Sequence, residues 1–188
     1  MKRTIALLCC LQGSLTGADE PAPPEHCAHH AAPVATERST HQYRLPEVRL
    51  VDQDGQQVTL ADALRPQAPI ALNFIFTTCT TVCPVMSASF AAVHGQLGGS
   101  SPVQFVSISI DPEHDRPAVL KRYAQRFGTD PAWRFYTGDA DDIRALLAAF
   151  EAGVSDKSNH RPFTLLRPAN GREWVRLDGF ASAETLTR

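Results

Sequence analysis

Cys79 and Cys83 stand four residues apart in FTTCTTVCPVMS, between an apolar run and a proline. Two thiols at that spacing suit several kinds of chemistry. A disulfide closing so small a loop removes little entropy from the unfolded chain, so it is a poor structural staple. A dithiol redox pair uses one cysteine as attacking thiolate and the other as resolver. The usual redox motif has two intervening residues, whereas Thr80, Thr81 and Val82 make three here. A thiol peroxidase carries threonine three residues before its reactive cysteine, and Phe76 holds that position. A metal site pairs two soft thiolates with a further donor; sulfur selects Cu(I), and imidazole serves Cu(II) as well. Two cysteines can also pack simply as small apolar groups. Spacing alone leaves these readings open.

The elements around the pair narrow its setting. APIALNFIFTT is a near-continuous apolar run with β-branched and aromatic residues, which predicts a central strand buried on both faces. From Pro84 onward Val85, Met86, Phe90, Val93 and Leu97 recur at helical spacing until Gly98 and Gly99. The cysteines thus sit between the carboxyl end of a strand and the start of a helix, where α/β folds place their sites. A helix N-terminus favours anions, so one or both thiols should have a depressed pKa. Residues four apart on a helical turn share a face, so both sulfurs can converge on one small partner.

The same alternation runs through the rest of the chain. EVRLVDQDGQQVTLADAL predicts a hairpin turning at Asp54 and Gly55, then a helical turn. VQFVSISI is a second buried strand. It leads into DPEHDRPAVLKRYAQRFG, where Asp115 can cap a helix that has Pro117 in its first turn and Gly128 at its end. A short strand WRFYTG, a helix capped by Asp139, and strands in PFTLLRP and REWVRLDGF follow, the last pair joined by a turn at Asn170 and Gly171. Ser182 to Arg188 forms at most a final helical turn. The pattern is that of an α/β domain with a central mixed sheet flanked by helices and an N-terminal hairpin extension.

The first twenty residues have the order of a secretory signal peptide. Lys2 and Arg3 precede an apolar run from Ile5 to Leu11, and small residues follow at Gly17 and Ala18. That run is too short to span a bilayer. Cys9 and Cys10 lie inside it, but two leucines precede Cys9 where a lipoprotein signal carries small residues, so lipid anchoring has little support. We therefore assign 1–18 as signal peptide, 19–42 as a mobile leader rich in Pro, Ala and His, and 43–188 as the folded domain. Cleavage after Ala18 takes the formal net charge from −2 to −4, and nothing suggests nucleic acid, which asks for a basic surface. It also leaves three of the five cysteines, Cys27, Cys79 and Cys83, an odd number. His26, Cys27, His29 and His30 cluster in the leader as EHCAHH, a composition that binds metals and marks an auxiliary copper-gathering arm or an incidental tail.

A lone loop histidine is more often simply solvated, and spacing alone does not make one a ligand. His160 lies in KSNHRPFTLL, in the loop before a strand. FTTCTTVCPVMS, VSISIDPEHDRP and KSNHRPFTLL, in this order and separation, closely resemble the Sco/SenC family of thioredoxin-fold proteins that help load copper into cytochrome c oxidase. The resemblance runs from about Arg44 to Phe180. It implies a thioredoxin-like fold, copper as the bound metal, and Cys79, Cys83 and His160 as its ligands, with Cys79 and Cys83 alternatively a redox disulfide. It implies that Asp111 and Asp115 of the DPxxD segment lie near the site. Asp111, at a strand's end, is the better candidate for tuning the metal or docking a partner, and Asp115 reads equally well as a helix cap.

The implied partners are the copper A subunit of cytochrome c oxidase or another cuproprotein, and a thioredoxin-like reductant. Many members of the family carry a membrane anchor. The short signal-like run here points instead to a soluble protein exported to the periplasm of a Gram-negative bacterium. Metal delivery is the first reading; a thiol-disulfide reductase or a redox or copper sensor would use the same residues. His94 and His114 read as solvated, Trp133 and Trp174 as core, and Asp141 with Asp142 as the acidic first turn of a helix.

Overall fold

Strand β4 (Ile70–Ile75) is buried at every one of its six residues, as is β5 (Gln104–Ser109) beside it. Strands this apolar are stable only where both faces of the sheet are covered. The computed structural model describes residues 36–98, 101–129, 131–153 and 155–187. The remaining strands are β1 (Glu37–His41), β2 (Arg49–Asp52), β3 (Gln57–Thr59), β6 (Trp133–Gly138), β7 (Phe163–Arg167) and β8 (Trp174–Asp178). The helices are α1 (Leu60–Ala63), α2 (Val82–Leu97), α3 (Pro117–Gln125), α4 (Ala140–Ala149) and α5 (Ala183–Thr187), with a 3-10 turn at Lys157–Asn159.

The strands form one mixed sheet in the order β1-β8-β7-β4-β5-β6-β2-β3. Pairings β4–β5 and β5–β6 are parallel, and β4–β7 is antiparallel. Alternate side chains of β4 enter two different cores. Ile70, Leu72 and Phe74 pack with Ile143, Leu146, Phe150 and Trp174 on one face. Ala71 and Ile75 pack with Cys83, Phe90, Tyr123 and Trp133 on the other. Helices α2, α3 and α5 thus cover one face, and α1 and α4 cover the other.

Register explains how distant segments meet. Ile75 pairs with Ser109 and Asn73 with Thr164, so the ends of β4 and β5 and the start of β7 share one edge. The loops carrying Cys79, Asp111 and His160 all leave from that edge.

The structure corrects several expectations. The segment 19–42 is not leader throughout, because Glu37–His41 is a strand paired along its length with β8. Its sequence ERSTH has no apolar alternation; backbone hydrogen bonds at a sheet edge hold it, and those leave no mark in hydrophobic pattern. Asp115 does not cap α3: the N-cap residue is Arg116, and the Asp115 carboxylate turns toward the β4 end. Asp139 occupies the N-cap position of α4 without a side-chain cap bond. On α2, Met86, Phe90 and Val93 are buried as expected, while Val85 and Leu97 are exposed. His94 is half-buried against the Phe105 and Trp133 rings rather than solvated. The hairpin is as expected, with Gly55 at φ 84, and so is the end of α2 at Gly98, whose φ of 72 suits glycine. His114 is exposed, and Trp133 and Trp174 are core residues.

The expected signal peptide and the cluster His26, Cys27, His29 and His30 lie outside the described residues. Among the described residues, no helix is long and apolar enough to cross a membrane.

Candidate functional site

After β4 the chain turns, with the Cys79 N–H bonded to the Phe76 carbonyl at 3.1 Å, and enters α2 at Val82. Thr81 is the N-cap residue but makes no side-chain cap bond. Its hydroxyl lies 3.8 Å from the Cys79 sulfur, and that sulfur accepts the Cys83 N–H at 3.4 Å. Sulfur thus stands where a capping oxygen usually satisfies an orphan N–H of the first turn. Helix α2 binds Cys79 through its positive end rather than through a polar cap.

The two thiols, both free, differ in surroundings. Burial opposes ionisation of Cys79, but the Cys83 and Thr81 hydrogen bonds outweigh it and hold its pKa below the ordinary value. Cys83 has no exposed surface, and burial pushes its thiol up to about 12. Of the two, Cys79 is the one poised to be a thiolate.

His160 follows the 3-10 turn, which Asp156 caps by accepting the Ser158 N–H at 2.8 Å. The imidazole is buried, packs edge-on against Phe163, and its Nε2 lies 3.1 Å from the Phe74 carbonyl. A carbonyl can only accept, so Nε2 carries the proton and Nδ1 keeps its lone pair. Burial also lowers the His160 pKa, which keeps the ring neutral. A ring whose far N–H is tied to a backbone carbonyl is the orientation that metal-ligating histidines adopt.

Cys79 and His160 line a common pocket of about 220 Å³ together with Phe76, Thr81 and Lys157. Cys83 sits beneath Cys79 rather than in the pocket wall. Among the described residues no three His, Cys, Asp or Glu side chains are already gathered into a metal-ligating group. Uptake of an ion therefore requires side-chain movement at this edge. The donors suit copper: two sulfurs and a neutral imidazole, with no hard carboxylate lining the pocket.

Asp111 is buried at the start of the loop after β5 and pairs with Lys157. It thus reaches the pocket through Lys157, whose ammonium also lies 5.8 Å from the centre of the Phe76 ring. Sequence reading missed Lys157, since only through-space pairing across 46 positions identifies it. It also missed Thr77, which bonds Asp115.

The sheet, its covering helices and the dithiol at the strand-to-helix junction define a thioredoxin-like domain. The SCO1/SenC family model matches residues 36–172, a span that contains both cysteines and His160. The chain belongs to the SCO1/SenC family. It is 35% identical over 98 residues to the SCO1 protein homolog of Bacillus subtilis, a match covering 51% of this chain and 50% of that protein. The chain thus spans about half the length of that relative. Among solved structures it resembles BsSco, described with a disulfide switch and as a member of the Sco family of cytochrome c oxidase assembly proteins. That likeness has a TM-score of 0.64 and 27% identity, and covers 76% of this chain and 86% of BsSco. It also resembles Bradyrhizobium japonicum ScoI with copper bound, with a TM-score of 0.62, 25% identity, and coverage of 76% of this chain and 94% of ScoI.

Proposed function

We propose that this protein is a copper carrier of cytochrome c oxidase assembly, binding one copper ion through Cys79, Cys83 and His160 and delivering it to the copper A site. The observation that carries this reading is the shared pocket of Cys79 and His160, with Cys83 bonded directly behind through its N–H. Membership of the SCO1/SenC family and the copper-bound ScoI relative support it. The Cys79 thiolate meets the ion first. Cys83 gives up its proton as it joins, and His160 completes the set through Nδ1 while Nε2–H stays on the Phe74 carbonyl. With only three ligands at a pocket open to solvent, thiolates of a recipient can replace them one at a time. Asp111 acts through Lys157, holding the loop that carries His160.

Copper needs both thiols reduced, so a thioredoxin-like reductant belongs to the cycle. Residues 1–18 export the protein to the periplasm, where it is soluble. His26, Cys27, His29 and His30 form an auxiliary copper-gathering site in the leader.

A second reading draws on the unlike thiols. An ionised, accessible Cys79 backed by a protonated, buried Cys83 suits an attacking and a resolving thiol. As a reductase, the dithiol would give two electrons and two protons to a disulfide of the recipient and become the Cys79–Cys83 disulfide. The two readings separate in one experiment. Reduced Cu(I)-loaded protein, reduced metal-free protein and the H160A variant of each are mixed with an oxidised or a reduced apo fragment of the copper A subunit. The carrier reading expects copper transfer to the reduced fragment and its loss in H160A, whose dithiol still reduces a model disulfide. Reduction of the oxidised fragment without any copper transfer would favour the reductase.

A further inference from the structure

Asp115 carries a carboxyl group without exposed surface, and among the described residues no salt bridge reaches it, Lys157 acting on it only across a distance. A buried carboxyl group is costly unless its oxygens are hydrogen-bonded, and an apolar side chain would fill the space at lower cost. Its bonds all go to the edge that carries the dithiol. Oδ2 accepts the Thr77 N–H at 3.0 Å and the Ser109 hydroxyl at 2.6 Å, and Oδ1 accepts the Thr77 hydroxyl at 2.5 Å. Ser109 Oγ in turn accepts the Asp111 N–H at 3.0 Å, and the Asp115 N–H donates to the Asp111 carbonyl at 2.8 Å. One carboxylate therefore ties the end of β4, the end of β5 and the loop after it.

Thr77 is the second residue beyond β4 and precedes Cys79 by two. Both of its polar donors, backbone and hydroxyl, go to Asp115. Thr77 lies inside the Phe76–Cys79 turn, which sets the Cys79 sulfur against the Cys83 N–H. The anchor is not needed for α3, which starts from Arg116. We propose that Asp115 is a positioning residue of the dithiol: by clasping Thr77 it fixes the loop that holds Cys79 at the start of α2, and so sets both copper affinity and the redox balance of the pair without touching the ion. The inference rests on Cys79 and Cys83 being the working pair of the proposed function.

The test uses the reduced full-length protein and the variants T77V, T77S and D115N. T77V keeps the side-chain shape and removes the hydroxyl, T77S restores the hydroxyl, and D115N keeps one acceptor oxygen. Cu(I) affinity is read by competition with a chromophoric chelator. The Cys79 alkylation rate and the dithiol midpoint potential are read on metal-free protein, with Tm as the control for folding. We expect T77V and D115N to weaken Cu(I) binding about tenfold, the scale of one lost hydrogen bond, and to shift alkylation rate and potential. We expect T77S to return all three to within about twofold of the parent. Should D115N fail to fold, the two Thr77 variants decide. Folded T77V with affinity, alkylation rate and potential unchanged would overturn the clasp, as would equal losses in T77V and T77S. A parent protein that binds no copper would instead overturn the carrier reading, leaving the clasp to be judged on alkylation rate and potential.

Discussion

Burial works against a thiolate at both cysteines, but at Cys79 the N–H of Cys83 and the groups of Thr81 outweigh it, whereas at Cys83 nothing does. In metal-free reduced protein, iodoacetamide should modify Cys79 well before Cys83. Its rate should level off with rising pH below the ordinary thiol value of about 8.5. Peptide mapping by mass spectrometry checks this, and equal labelling of both residues would contradict it. The same asymmetry sets the pH dependence of metal binding. Because the Cys83 pKa is raised to about 12, its thiol carries a proton throughout the neutral range and must release it to bind copper. Copper affinity should therefore strengthen as pH rises, roughly tenfold per pH unit for each proton released. Competition titrations across neutral pH measure the slope, and a flat profile would mean that Cys83 does not bind as a thiolate. Both cysteines stand out in the sequence because thiols at a strand-to-helix junction are chemically conspicuous. Thr77 and Lys157 do not, because their partners lie 38 and 46 positions away, and Asp115 is marked only by the DPxxD motif, which does not reveal its bonds to Thr77.

Strands β4, β5, β6, β7 and β8 and helices α2, α3 and α4 follow from hydrophobic runs, periodicity and stop signals, since each buries an apolar face. Strand β1 does not, because only its backbone is engaged. Its five residues pair with β8, and the chain just after it brings Tyr43 onto the rings of Phe150 and Trp174. A cut before Arg44 therefore removes a strand and an aromatic contact as well as the leader. We expect that cut to cost on the order of 3 kcal/mol, seen as a Tm lower by roughly 10 °C. A cut before Thr36 keeps β1 and should retain the higher Tm of the two. Equal Tm values for the two truncations would contradict the structural role of β1. The shorter deletion is also the one that tests the leader's His26, Cys27, His29 and His30 for copper without disturbing the sheet.

Topology supplies what no local pattern contains. The parallel pairing of β4 with β5 and the antiparallel pairing of β4 with β7 bring the loops after β4 and β5 and the loop before β7 to one edge. That is how His160 comes to share a pocket with Cys79, 81 positions earlier in the chain. From the sequence, His160 is an isolated histidine in a loop, and only the joint order of three motifs lifts it out. The metal count and ligand set of reduced protein loaded with Cu(I) and freed of excess metal bear on the whole assignment at once. On chain cut before Thr36, metal analysis and copper X-ray absorption should find one copper per chain with two sulfur and one nitrogen neighbours, and H160A should lose the nitrogen and most of the retained copper. Retention of a full copper equivalent by H160A with an unaltered spectrum, or by a variant lacking both Cys79 and Cys83, would contradict the three-ligand site.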